Sequence, residues 1–249
     1  MRRISGTRTG IQYRAPVGLK IVIFGATGMI GQGVLRESLL SPAVDEVLTV
    51  GRGKVAATDP KLRQITHADL LDLGPIEVDL TGTDACFFCL GVSAAGMSEA
   101  DYTRITYDYT LSVATTLARL NPGMTFIYVS GAGTDSTEHG RSMWARVKGR
   151  TENAILALPL DAYMFRPGYI QPRHGATSRT RLYRAVYALG RPLYPVLKRL
   201  MPGSVSTTEH IGRAMVAIAV KTQQPLDRTV DAAPQRILSS SDINEMSGM

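Results

Sequence analysis

The stretch Gly25-Ala26-Thr27-Gly28-Met29-Ile30-Gly31 limits what this chain can fold into more than any other. It follows an apolar run at 20–24 and opens a segment, 29–40, whose apolar residues recur at helical spacing. Glycines so spaced between a strand and a helix each have a physical job. The first permits the tight turn, the second lets backbone approach a pyrophosphate, and the third lets helix pack closely on strand. N–H groups at the helix start, aided by the helix dipole, then hold the phosphates. The alternative is a simple strand-to-helix turn.

The same unit recurs along the chain. Runs at 47–50, 63–66, 85–90, 125–129 and 162–165 predict strands, and the spacing over 99–120 and 144–158 predicts helices. Strand and helix in alternation give an α/β fold with a doubly wound parallel sheet covered on both faces, a Rossmann architecture. After Pro167 the pattern changes. Residues 181–200 are basic and apolar but broken by Gly190, Pro192 and Pro195; 210–221 predict a further helix and 228–232 a short strand. The expected organisation is a loose basic extension at 1–18, a dinucleotide-binding core at 19–170, and a small C-terminal substrate cap at 171–238 completing the same domain. A polar, frayed tail follows at 239–249. A membrane-surface helix at 181–200 is the alternative to a cap, and the prolines weaken it.

Composition narrows the function. The formal charge of +7 over 249 residues fits nucleic acid or an anionic cofactor equally well. No zinc spacing and no recognition-helix signature accompanies it, so neither a nucleic-acid partner nor a metal is expected. No run approaches the roughly 20 apolar residues of a membrane span, so stable insertion is not expected. Residues 1–18 hold Arg2, Arg3, Arg8 and Arg14 without an apolar core, unlike a secretory signal. Cys86 and Cys89 share a strand run in which alternation sends them opposite ways, which suits buried thiols in a reducing cytoplasm.

The second strand ends at Val50, and Gly51 and Arg52 follow where an NAD site usually places an acid for the ribose 2′-hydroxyl. A guanidinium instead pairs bidentately with a phosphate. NADP is therefore favoured, with NAD as the alternative.

From Leu19 to Lys221 the chain resembles the atypical short-chain dehydrogenase/reductase superfamily, in its NmrA-like and epimerase-like branch. The motifs are the Gly25-x-x-Gly28-x-x-Gly31 loop, Ala68-Asp69-Leu70, Cys89-Leu90-Gly91, Val129-Ser130-Gly131-Ala132, Lys148-Gly149 and Phe165-Arg166-Pro167-Gly168. The resemblance implies that Thr27, Met29 and Ile30 line the dinucleotide loop and that Asp69 and Leu70 contact the adenine. Leu90 and Gly91 would pass beside the cofactor with backbone exposed, and Pro167 and Gly168 would line the nicotinamide. Ser130 would orient a substrate oxygen and Lys148 would bond the nicotinamide ribose.

The departure is Trp144, which stands where the family carries a tyrosine, one helical turn before Lys148. A tyrosine there exchanges the proton that accompanies hydride transfer; an indole donates one hydrogen bond and is no base. Trp144 can instead stack on substrate or nicotinamide. Tyr102, Tyr107, Tyr109, Tyr169 and His139 are the candidate substitutes, and the loop at 131–142, with Asp135 and Glu138, could overlie the site. The expected function is an NADP-dependent oxidoreductase, or an epimerase/dehydratase-like enzyme, acting on a small organic substrate. The alternative is a non-enzymatic NADP-binding redox sensor or scaffold that answers to a protein partner.

Overall fold

A computed structural model describes residues 18–177, 199, 202–223 and 235–248. The first half alternates β1 (Leu19–Phe24), α1 (Met29–Leu40), β2 (Val44–Gly51), β3 (Leu62–Thr66), the one-turn α2 (Glu77–Leu80) and β4 (Ala85–Phe88). Then come α3 (Glu99–Thr103), a π-helical turn (Arg104–Asp108), α4 (Tyr109–Leu120), β5 (Thr125–Val129), α5 (Met143–Leu156), β6 (Asp161–Arg166) and β7 (Tyr169–Gln171). The described remainder holds β8 (Val205–Thr207), α6 (Thr208–Gln223), β9 (Ile237–Ser239) and α7 (Ser240–Met246).

Among the described residues one sheet runs β3-β2-β1-β4-β5-β6-β9, with every neighbouring pair parallel. This is the doubly wound sheet that the alternating pattern predicts. Alternate side chains of each strand feed two cores. Ile21, Ile23, Phe87, Ile127 and Phe165 pack with Val34 and Leu35 of α1 and Ile211 and Met215 of α6. Val22, Phe24, Phe88, Phe126 and Tyr128 pack with Val113 and Leu117 of α4 and Ile155 of α5. Cys86 belongs to the second core and Cys89 lies against the first, on opposite sides of the sheet. Burial pushes the Cys89 thiol up to about 12 and raises that of Cys86 as well, so neither is a reactive thiolate.

Four elements differ from the sequence pattern. β4 stops at Phe88 rather than Leu90, because the chain must leave the strand to pass the first glycine turn; a Cβ on Gly25 would lie 2.6 Å from Leu90 N. The helical stretch at 99–120 is interrupted by the π turn, a local widening that apolar periodicity does not register. The helix expected at 210–221 covers the sheet beside α1 rather than capping an edge. Gly33 and Gly212 allow that contact, since a Cβ on either would press into the opposite helix, at Thr208 and Glu37 respectively.

The fourth difference corrects an expectation outright. The stretch from 239 is not a frayed tail. β9 adds a seventh parallel strand, and Ser239 and Asp242 form a reciprocal capping box that starts α7. Leu238 and Ile243 are wholly buried in the first core. Two well-placed apolar side chains in a polar run suffice for this, and no period reveals them. Leu238→Ala is expected to cost about 2–5 kcal/mol, read as a fall in the urea midpoint; a change below about 0.5 kcal/mol would restore the frayed tail. The basic extension, apart from Gly18, lies outside the described residues. So do the expected cap helices at 181–200, save Arg199, and the strand at 228–232.

Candidate functional site

Because the strands of the main sheet are parallel, their carboxyl ends share one edge, where ligands bind in open α/β sheets. The glycine turn, Arg52, Asp69, Leu90, Ser130 and Pro167 all follow those ends. At the turn Gly25 takes φ +84°, a conformation that suits glycine, and its carbonyl accepts from Gly28 N at 2.9 Å. A Cβ on Gly31 would overlap Gly25 O. Gly28 caps α1 without a side-chain hydrogen bond, and no acidic residue occupies the first turn. The N-terminal dipole is thus left for an anion, and this donor set fits a pyrophosphate. Gln32, on the same helix, donates to Thr27 O at 3.1 Å and to Thr177 O at 3.2 Å, tying the loop to the chain beyond β7.

Arg52 is exposed just past β2. Asp69 is exposed as well, and its carboxylate accepts from Leu71 N at 3.0 Å while Leu70 is buried. His67 shapes that turn: its Nε2 lies 2.7 Å from the carbonyl oxygens of both Asp69 and Asp72. Gly91 is exposed, with open space where a Cβ would stand, and Leu90 is partly buried beside Gly25.

The chemistry-bearing residues meet where β5 and β6 end. Lys148 Nζ donates to Ser130 O at 2.8 Å and Val129 O at 3.4 Å, and it stands 5.5 Å from the centre of the Tyr128 ring. Burial pulls its ammonium down to about 8, with Glu152 pulling the other way. Glu152 follows one turn later on α5 and has no exposed surface. Its carboxylate accepts from Ser130 Oγ at 2.5 Å and from Arg166 Nε at 3.1 and 3.2 Å, and it also pairs with the Arg166 guanidinium. The Ser130 hydroxyl thus points at Glu152 and Phe165 O, where its single proton is engaged. Trp144, partly buried, sits one turn before Lys148; its ring edge lies against Gly133, which takes φ +86°. Pro167 O accepts from Ala132 N at 2.8 Å, and Gly168 N donates to Ser240 Oγ at 2.8 Å.

The loop at 131–142 is strapped onto α5. Asp135 Oδ1 accepts from Thr137 N and Oγ1, and Oδ2 from Gly140 N at 2.7 Å, which together hold its carboxyl below the usual range. Gly149 is required for the fit, because a Cβ there would overlap Asp135 O. Arg146 holds Gly140 O at 2.9 Å and Glu99 Oε2 at 2.8 Å, and Asn153 holds Glu138 Oε1 at 2.7 Å. His139 is exposed on this loop. The candidate tyrosines are occupied elsewhere. Tyr102 is core, Tyr107 lies under the Arg150 guanidinium at 4.3 Å, Tyr109 packs on the second core, and Tyr169 donates to Gln171 at 3.0 Å.

Sequence reasoning missed Glu152, the hub beneath Ser130 and Lys148. Its spacing of four from Lys148 and eight from Trp144 put it on their helix face and was the available signal. It also assigned no role to Arg166, although the residue lies within the last motif.

No family model matches the chain. Among curated relatives, fmp52-2 of Aspergillus terreus, named as mitochondrial, is 29% identical over 169 residues, covering 66% of this chain and 72% of its own. The mitochondrial fmp52 of Emericella nidulans is 28% identical over 238 residues, covering 90% and 96% respectively. Among solved structures, the dTDP-glucose 4,6-dehydratase DesIV of Streptomyces venezuelae, with NAD and DAU bound, superposes with a TM-score of 0.59. Its identity is 18%, over 81% of this chain and 72% of the dehydratase. The chain thus shares the Rossmann-like α/β fold of these solved structures, a parallel sheet flanked by helices.

These relatives overturn the expected cytoplasmic location, since the fmp52 proteins are named as mitochondrial. The expectation rested on two unpaired thiols and on the lack of an apolar span. Neither distinguishes one reducing compartment from another. Among the described residues no helix is long and apolar enough to cross a membrane.

Proposed function

We propose that the chain is a nicotinamide-dinucleotide oxidoreductase, preferring NADP, that acts on a small carbonyl or alcohol substrate at the carboxyl edge of the sheet. The observation that carries the reading is the common edge on which the uncapped start of α1, Arg52 and Lys148 all open. In this reading the residues from Gly25 to Gly31, with Thr27, Met29 and Ile30, hold the pyrophosphate through main-chain N–H groups. Arg52 pairs with a ribose phosphate, Asp69 and Leu70 bracket the adenine, and Leu90 and Gly91 flank the dinucleotide. Lys148 faces the nicotinamide end of the dinucleotide, with Pro167 and Gly168 beside the ring. The dinucleotide supplies or accepts a hydride when bound. Ser130, with its proton turned to Glu152, presents to a substrate only an accepting oxygen.

Thermal unfolding with each dinucleotide, followed by turnover of a carbonyl panel with NADPH, tests this. Stabilisation by NADPH with measurable turnover supports it; no stabilisation by millimolar NADPH or NADH removes it. Arg52→Ala should weaken NADP binding about tenfold to a hundredfold, the worth of a charged hydrogen-bonded pair, and leave NAD affinity unchanged. Equal loss for both dinucleotides would place Arg52 away from the phosphate.

The second reading, a dinucleotide-responsive sensor or scaffold, draws support from Trp144 at the usual acid position and from the engaged Ser130 hydroxyl. Stabilisation by NADPH without turnover, together with a partner whose binding follows occupancy, would favour it.

A further inference from the structure

With an indole at position 144, the site needs another source for the proton of a carbonyl reduction. The neighbouring groups can be taken in turn. Ser130 has committed its single proton to Glu152 and Phe165 O. Tyr128, below Lys148, is buried, and its phenol is driven upward by burial and by the nearby Tyr102 and Glu152. Tyr102 is core, Tyr107 lies under Arg150, Tyr169 donates to Gln171, and His139 stands out on the loop.

Lys148 remains. An ammonium has three N–H donors, and two of these meet Ser130 O and Val129 O at the end of β5. We propose that Lys148 is the acid–base residue of the site, anchored by two N–H groups while the third serves the substrate oxygen. The proposal rests on the oxidoreductase reading. In reduction, the carbonyl carbon receives the hydride of the dinucleotide and its oxygen receives a proton from Nζ. Alcohol, oxidised dinucleotide and a neutral amine result, and the amine regains its proton from water.

The surroundings suit this role. Burial brings the ammonium down to about 8, close enough to neutrality for exchange with a substrate in either direction. Glu152 from the same helix opposes that shift, but its carboxylate is shared with Arg166 of β6 and Ser130 just past β5. Tyr128 of β5 presents its ring to Nζ, with Tyr102 of α3 behind it. Asp135, on the loop that overlies α5, spends its carboxylate on Thr137 and Gly140.

The chain has only six lysines, so their titrations can be followed individually by 13C NMR after reductive methylation. One resonance should titrate near 8 and be missing from Lys148→Arg. The variant keeps a cation and its donors but releases no proton at these pH values. With NADPH and phenanthrenequinone as the probe carbonyl, wild-type turnover should be level below pH 8 and fall above it. Lys148→Arg should lose about a hundred- to ten-thousand-fold of that turnover. It should still bind NADPH, as read by quenching of the single tryptophan, Trp144. If every lysine titrates near its ordinary value of about 10.4, or if Lys148→Arg turns over like wild type, Lys148 is not the acid. Wild type that binds NADPH yet reduces no probe at any pH overturns both this proposal and the oxidoreductase reading. Turnover with an ordinary lysine titration overturns this proposal alone.

Discussion

Glu152→Ala is expected to lower the unfolding free energy by about 3–5 kcal/mol, the usual result of removing one partner from a buried ion pair. The carboxylate has no exposed surface, and it receives hydrogen bonds from Ser130, just past β5, and from Arg166 at the end of β6. Its loss leaves the Arg166 guanidinium, itself only one-fifth exposed, with its hydrogen bond to Ser136 Oγ. It also leaves the Ser130 hydroxyl with Phe165 O alone, and it removes the anion nearest Lys148. Glu152→Gln keeps shape and one acceptor while losing the charge, so it should cost less. A double-mutant cycle with Arg166→Ala should show a coupling of at least about 0.5–3 kcal/mol, because the two side chains touch. Urea unfolding of the four proteins measures all of this. A cost below about 1 kcal/mol for Glu152→Ala would mean that solvent, rather than the carboxylate, satisfies Arg166.

That network also marks where sequence stops being informative. The glycine turn is legible because its demands are local: a left-handed φ at Gly25 and an overlap at Gly31 with atoms six residues away. The strands are legible because Ile21, Val22, Ile23 and Phe24 feed two cores in alternation, and a fully buried strand reads as a continuous apolar run. Glu152 is different. Its partners lie 14 and 22 positions away, and they meet it only once β5, β6 and α5 have packed. A glutamate on a helix otherwise looks like solvent-facing polarity. The same holds for Ser130, whose motif points to a substrate while its proton is spent inside the protein. The C-terminal strand failed for a related reason: three residues are too few for a period, and its place is set by pairing with Met164, Phe165 and Arg166 of β6.

Trp144→Tyr is expected to raise turnover at least tenfold, because it places a phenol one helical turn from the Lys148 ammonium. A neighbouring cation stabilises the phenolate and brings its titration toward working pH. The side chain has room, since Tyr is smaller than Trp and the ring edge at this position lies against Gly133, which has no side chain. The gain should appear in kcat rather than in dinucleotide affinity, since the groups proposed to hold the pyrophosphate lie at the start of α1. The pH profile should change as well. With Lys148 as the wild-type acid the falling limb lies near 8, whereas in the variant it should follow the phenol and cease to depend on the lysine alone. The substitution removes the chain's single tryptophan, so folding is checked by circular dichroism and binding by calorimetry. Unchanged or lower turnover, with affinity intact, would mean that the indole itself shapes the substrate pocket, and that the proton already has a sufficient source without a phenol.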